Sequence, residues 1–198
     1  MSFVDHKACE INFKIVYYGP DLSGKATNLQ HIHRKLQPAQ KSQMHSMTDM
    51  ALFFSLLTRT FSLIDGLRPR FHLYAPPGPF TYEYQLYDLV KGADGIVFVA
   101  DSQAVRCGDN VESLTDLEHQ LAGHGRELRK IPLVIQYNKR DLPQTLPVTE
   151  LDALLPGYEC PRFEAVAVVG SGVFETLRTI TQAVVAPLQG VDSTGSGQ

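Results

Sequence analysis

Apolar residues recur along the chain with two alternating periods. Ile11, Phe13, Ile15, Val16, Tyr17 and Tyr18 form an apolar run that predicts a strand over 11–18. Helical spacing follows over 24–37, then a polar loop from 38 to 49. Apolar segments at 52–57, 60–64 and 70–74 read as strands. The stretch Asp65-Gly66-Leu67-Arg68-Pro69 reads as a hairpin turn that pairs 60–64 with 70–74. A loop over 75–81 leads into a helix near 82–91. Gly95 to Ala100 is continuously apolar, which predicts a strand buried on both faces. Residues 110–121 are helical in pattern, with Val111, Leu114, Leu117 and Leu121 as the core-facing stripe. A strand over 132–137, a short helix over 149–155, a strand over 163–168 and a closing helix over 173–188 complete the chain. This alternation predicts an α/β fold with a mainly parallel sheet and helices on both faces. Ligands of such sheets bind beyond the carboxyl ends of the strands.

Composition narrows the class. The chain has 198 residues, 43% hydrophobic and 20% charged, which suits one domain with a full core over 1–189. The Ser/Gly/Asp-rich stretch over 190–198 reads as a flexible tail. A net charge of −3 argues against a nucleic-acid partner or a polybasic membrane surface. The odd number of scattered cysteines, Cys9, Cys107 and Cys160, points to free thiols and a cytoplasmic setting. No apolar run reaches transmembrane length, and residue 2 is Ser, which argues against N-myristoylation.

The first candidate chemistry follows the first strand. Gly19-Pro20-Asp21-Leu22-Ser23-Gly24-Lys25-Ala26 is a phosphate-binding P-loop, G-x-x-x-x-G-K-[ST], in every position except the last. Gly19, Asp21, Leu22, Ser23, Gly24, Lys25, Ala26 and Thr27 are the candidate phosphate contacts. Backbone N–H groups at a helix N-terminus and the Lys25 ammonium cradle an anion whatever stands at the last position. The hydroxyl that would hold Mg²⁺ is lost at Ala26, so metal binding is expected to be weak or absent.

The second candidate lies at the end of the strand 132–137. Asn138-Lys139-Arg140-Asp141 is the guanine-reading pattern N-K-x-D. A carboxylate at Asp141 can accept from the guanine ring N1–H and the exocyclic amine, a donor pair that adenine lacks. Two such bonds are worth on the order of 3 kcal/mol, roughly a hundredfold in affinity. Asn138 would tie the base loop to the P-loop, and the Lys139 stem would cover the base. Alone, the tetrapeptide also reads as an ordinary polar turn; its place at a strand end downstream of a P-loop favours guanine.

Longer phrases carry a resemblance. Lys14-Ile15-Val16-Tyr17-Tyr18-Gly19-Pro20, Thr27-Asn28-Leu29-Gln30, Arg70-Phe71-His72-Leu73-Tyr74, residues 97–103 and Ile135 to Pro143 resemble the MglA-type bacterial GTPases, polarity and gliding-motility switches of the Ras-like small-GTPase fold. The resemblance spans roughly 1–189. It implies a guanine nucleotide (GTP or GDP) as cofactor, a roadblock-fold regulatory dimer and polarity or motility effectors as partners, and a β-hairpin around 52–75 that shifts register between states. It also implies nucleotide contacts at Gly78 and, through backbone N–H groups of the loop at 165–167, at Val166 and Ala167.

Departures from that pattern cluster at the catalytic and metal positions. The resemblance implies a Gly where Asp21 stands, an Arg and a Thr where Met50 and Ala51 stand, and a water-orienting Gln where Pro79 stands. No catalytic residue is intact on this reading, and no metal ligand is assigned. Two function classes stay open: a guanine-nucleotide switch or scaffold with hydrolysis very slow or lost, and an interaction scaffold that keeps only the fold. A working GTPase using Thr27 or Thr48 in place of the lost hydroxyls is a third. The seven histidines read as structural: His31 and His33 are two apart on one helix and point to different sides. Tyr82, Tyr84 and Tyr87 are open between core packing and a partner patch.

Overall fold

The computed structural model describes residues 3–47, 51–57, 61, 63–76 and 89–189. Met50, Gly78, Pro79, Thr48, the three tyrosines Tyr82, Tyr84 and Tyr87, most of the helix expected near 82–91, and residues 190–198 lie outside them.

One eight-stranded sheet carries the molecule. Its strands are β1 (Phe3–Asp5), β2 (Glu10–Tyr18), β3 (His45–Met47), β4 (Ala51–Leu57), β5 (Arg68–Ala75), β6 (Gly95–Asp101), β7 (Leu133–Asn138) and β8 (Arg162–Glu164). The order is β3-β4-β5-β2-β6-β7-β8, with β1 pairing β2. Strands β5, β2, β6, β7 and β8 run parallel; β1, β3 and β4 join antiparallel. The longer helices are α1 (Lys25–Lys35), α2 (Cys107–Gly123), α3 (Val148–Leu154) and α4 (Val173–Gln189). The mainly parallel α/β architecture expected from the pattern is present.

The apolar runs of β2 and β6 bury both faces because a core lies on each side. Ile15, Tyr17, Val97 and Val99 pack with Leu29 and Ile32 of α1 and with Val173, Ile180 and Val184 of α4. Val16, Tyr18, Ile96 and Phe98 pack with Leu114, Leu117 and Leu121 of α2. Successive side chains of a strand point to opposite faces, so one apolar run feeds both cores.

Four local expectations are corrected. The partner of 70–74 is 53–57, with Leu57 opposite Arg70 and Phe53 opposite Tyr74. The turn is shorter than expected, because Asp65 (φ 49°) and Gly66 (φ 78°) are both left-handed and close a two-residue turn between Ile64 and Leu67. The strand expected over 163–168 ends at Glu164; Val166 to Ser171 forms a tight loop, in which Val166 N–H donates to the Ser171 carbonyl. Val111 is 40% exposed. Asn110 takes the inward place beside it, because its side chain accepts from the Asp101 N–H at 2.9 Å and donates to the Asp101 carbonyl at 2.8 Å. Strand β1, three residues long, is too short to show a period in the sequence.

Candidate functional site

The carboxyl ends of β2, β6 and β7 lie side by side, with Asp101 directly opposite Asn138. The P-loop leaves β2 and the base loop leaves β7, so the sheet itself brings the two motifs together.

The P-loop backbone needs unusual angles. Gly19 has φ 141°, and a Cβ there would stand 2.2 Å from the Val99 carbonyl oxygen. Gly24 has φ 103°, and a Cβ there would stand 2.1 Å from Asn138 Nδ2. Only glycine tolerates both the angle and the approach. Between them Leu22 adopts φ 59° without being glycine, and its side chain is 82% exposed. The N–H groups of Leu22, Gly24, Lys25, Ala26 and Thr27 meet no acceptor among the described residues. These are the orphan donors that a helix N-terminus and its preceding loop offer an anion.

Lys25 is buried, and its ammonium donates to the carbonyls of Gly19 at 2.8 Å and Pro20 at 2.7 Å. An ammonium has three donors, so one remains for a ligand. Burial lowers its pKa to about 8, the Asp21 carboxylate opposing that shift and the Arg106 guanidinium adding to it. Asp21 Oδ1 and Ser23 Oγ are buried without a hydrogen-bond partner among the described residues. Ala26 is an exposed methyl on the first turn of α1.

Asn138 joins the two loops. Its Nδ2 donates to the Ser23 carbonyl at 2.7 Å, and its Oδ1 accepts from the Ala167 N–H at 2.9 Å. The Ala167 and Val166 N–H groups therefore each have an acceptor within the protein. Lys139, left-handed at φ 66°, sends its ammonium 2.6 Å from Asp101 Oδ2. Asp141 is exposed, and its carboxylate has no partner among the described residues. Leu22, Gly24, Thr27, Asn138, Lys139, Asp141, Leu142, Ala167 and Val168 line one cavity of about 160 Å³.

Two polar clusters escaped the sequence reading. Asp101, wholly buried, binds Lys139 and lies 3.8 Å from Arg106 Nε, while Arg106 Nη2 donates to the Asp21 carbonyl at 2.7 Å. Gln136 exchanges bonds of 2.8 and 3.1 Å with Asn28 and donates to Thr176 Oγ1 at 3.0 Å, holding the start of α1 against β7 and α4. A polar residue inside an apolar strand, Gln136, was the one available signal.

Free donors, glycines where a Cβ would clash and an orphaned Ser23 hydroxyl fit a phosphate group, and the adjoining Asp141 fits a base edge. Ala26, where the P-loop pattern carries a hydroxyl, supplies no oxygen to a divalent cation.

No family model matches the chain. Among curated proteins, it is 46% identical over 192 residues to the mutual gliding-motility protein MglA of Myxococcus xanthus (strain DK1622), covering 96% of this chain and 98% of the relative.

Proposed function

The chain belongs to the MglA-type family of bacterial Ras-like small GTPases, and from that premise we propose a guanine-nucleotide-binding switch or scaffold for polarity and motility with hydrolysis very slow or lost. The observation that carries the binding half is the Asn138 strut, which holds the phosphate loop and the base loop around one cavity with Asp141 unpaired at its edge. The name of the relative supports a role in motility.

The side chains support the loss of turnover. Phosphoryl transfer is positioning plus charge stabilisation, and an arginine finger alone is worth roughly 10³–10⁵ in rate. Met50 has no charge to offer, Pro79 has no group to orient water, and Ala26 and Ala51 have no oxygen for Mg²⁺. Asp21 adds a carboxylate beside Lys25; a like charge at about 4 Å costs on the order of 4 kcal/mol at an effective dielectric near 20. A terminal phosphate suffers this more than a diphosphate does, which favours GDP over GTP. Partners on this reading are a roadblock-fold dimer and motility effectors, met without stimulated hydrolysis.

The test is direct. Purified protein is denatured and the released nucleotide identified by chromatography, with calorimetry of GDP against ADP. Guanine nucleotide in the supernatant and a GDP preference are expected. Equal binding of both, or of neither, would leave a scaffold that keeps only the fold.

A further inference from the structure

We infer that Arg106 is a positioning residue that sets the P-loop for its anion and locks it to the base-reading turn. The inference rests on the nucleotide reading above for its ligand, but its geometry is independent of it. Arg106 lies between β6 and α2 with its side chain 30% exposed. Its guanidinium meets three oxygens from three segments. Nε lies 3.8 Å from Asp101 Oδ2, Nη1 pairs with Asp109, and Nη2 donates to the Asp21 carbonyl at 2.7 Å. The same Asp101 oxygen takes the Lys139 ammonium at 2.6 Å. A continuous run of charged contacts thus links Lys139, Asp101, Arg106 and the Asp21 peptide, joining the base turn to the phosphate loop. Because Asp101 is wholly buried, solvent screens these contacts weakly.

The bond to the Asp21 carbonyl has a consequence for the next residue. In a trans peptide the C=O and N–H point to opposite sides, and no described peptide is cis. With the Asp21 carbonyl held by Arg106, the Leu22 N–H is turned away from Arg106. That N–H meets no acceptor among the described residues, and Leu22 borders the cavity. Leu22 is also left-handed, a state a non-glycine residue disfavours. A contact to that peptide helps to hold the angle, and among the described residues Arg106 donates to it. A lysine is a point charge and cannot reach three oxygens with a planar fork.

Lys25, Ala26 and Thr27 N–H groups at the helix start remain to hold a first phosphate. The Leu22 N–H, earlier in the loop, serves the next.

Full-length wild type, Arg106→Ala and Arg106→Lys are compared by two measurements. Amide hydrogen exchange on nucleotide-free protein is expected to accelerate in Arg106→Ala at Ser23, whose N–H donates to the Pro20 carbonyl, and at Arg140, whose N–H donates to the Ala165 carbonyl, with α4 unchanged. Unchanged exchange at Ser23 overturns the inference. Calorimetric titration is expected to give about a tenfold loss for GDP and less than about a threefold loss for GMP, the size of one charge-assisted bond. Arg106→Lys is expected to leave the GDP loss in place. Equal losses for GDP and GMP, or full restoration by lysine, would mean that Arg106 supplies only charge. A wild type that binds no guanine nucleotide refutes the functional proposal, and the exchange result still decides whether Arg106 holds the loop.

Discussion

Asp141 stands exposed and unpaired among the described residues, so replacing it tests recognition at little structural cost. Asp141→Asn exchanges an acceptor for a donor where guanine presents two donors. GDP affinity is expected to fall roughly a hundredfold, and xanthosine diphosphate to bind better than to wild type; competition titration of the two nucleotides reads this. Lys25 gives a second residue-scale test. Its pKa lies near 8 because burial disfavours the ammonium, below the value of a solvated lysine. A phosphate favours the charged form, so nucleotide binding at pH 8 should take up about half a proton. The affinity should therefore weaken as pH rises through that value. Calorimetry in buffers of different ionisation enthalpy measures the uptake, and none at pH 8 would mean that Lys25 is already fully charged. The same depression acts on stability with a definite sign: the unfolded chain holds this proton more tightly, so the cost of burying the ammonium fades as pH rises above about 8.

At the scale of elements, two substitutions separate packing from pattern. Leu117 of α2 is fully buried, whereas Val111, nearly two turns earlier, is 40% exposed. Leu117→Ala is expected to cost about 2–5 kcal/mol and Val111→Ala less than about 1, read by chemical denaturation. The helix period was legible from apolar spacing, but its rotation was not. Asn110, one residue before Val111, turns inward to satisfy the Asp101 backbone, a demand that exists only once β6 and α2 are docked. Gln136 makes a similar point in β7. Its amide serves Asn28 and Thr176 from two other elements. Gln136→Leu leaves Asn28 Oδ1 buried without its donor, while Nδ2 keeps the Gly24 carbonyl, and is expected to destabilise by about 1–3 kcal/mol. The hairpin was read with the right second strand and the wrong first. Hydrophobic alternation fits both 53–57 and 60–64, and the left-handed pair Asp65-Gly66 shifts the close of the turn.

For the whole molecule the test is turnover. Wild type is expected to release phosphate from GTP at the rate of buffer alone, with or without a roadblock-fold dimer. That partner type is implied to act by arranging an Arg and a Gln that here are Met50 and Pro79. Restoring either alone should do little, because groups that act as a unit are not additive. Asp21→Gly, Ala26→Thr, Met50→Arg, Ala51→Thr and Pro79→Gln together should give measurable hydrolysis on the same fold. Steady release by wild type that Lys25→Ala abolishes would sink the claim of lost turnover.

The order of strands and helices, the class of sheet, and both loop motifs were written in local sequence. Each depends on residues within one turn or one strand: an apolar run, two glycines bracketing a phosphate loop, an acid at a strand end. Their meeting is a property of the parallel sheet, which sets the ends of β2, β6 and β7 in one row and lets Asn138 bridge Ser23 and Ala167. What only the tertiary structure decided is which polar side chains face inward. Arg106 and Asp101 have no distinguishing spacing, since their partners Asp21 and Lys139 lie far away along the chain and become neighbours only when the loops pack. Local pattern reports burial and period. A charge buried between loops is stabilised by partners brought in from elsewhere in the chain, and those partners are set by topology rather than by sequence neighbourhood.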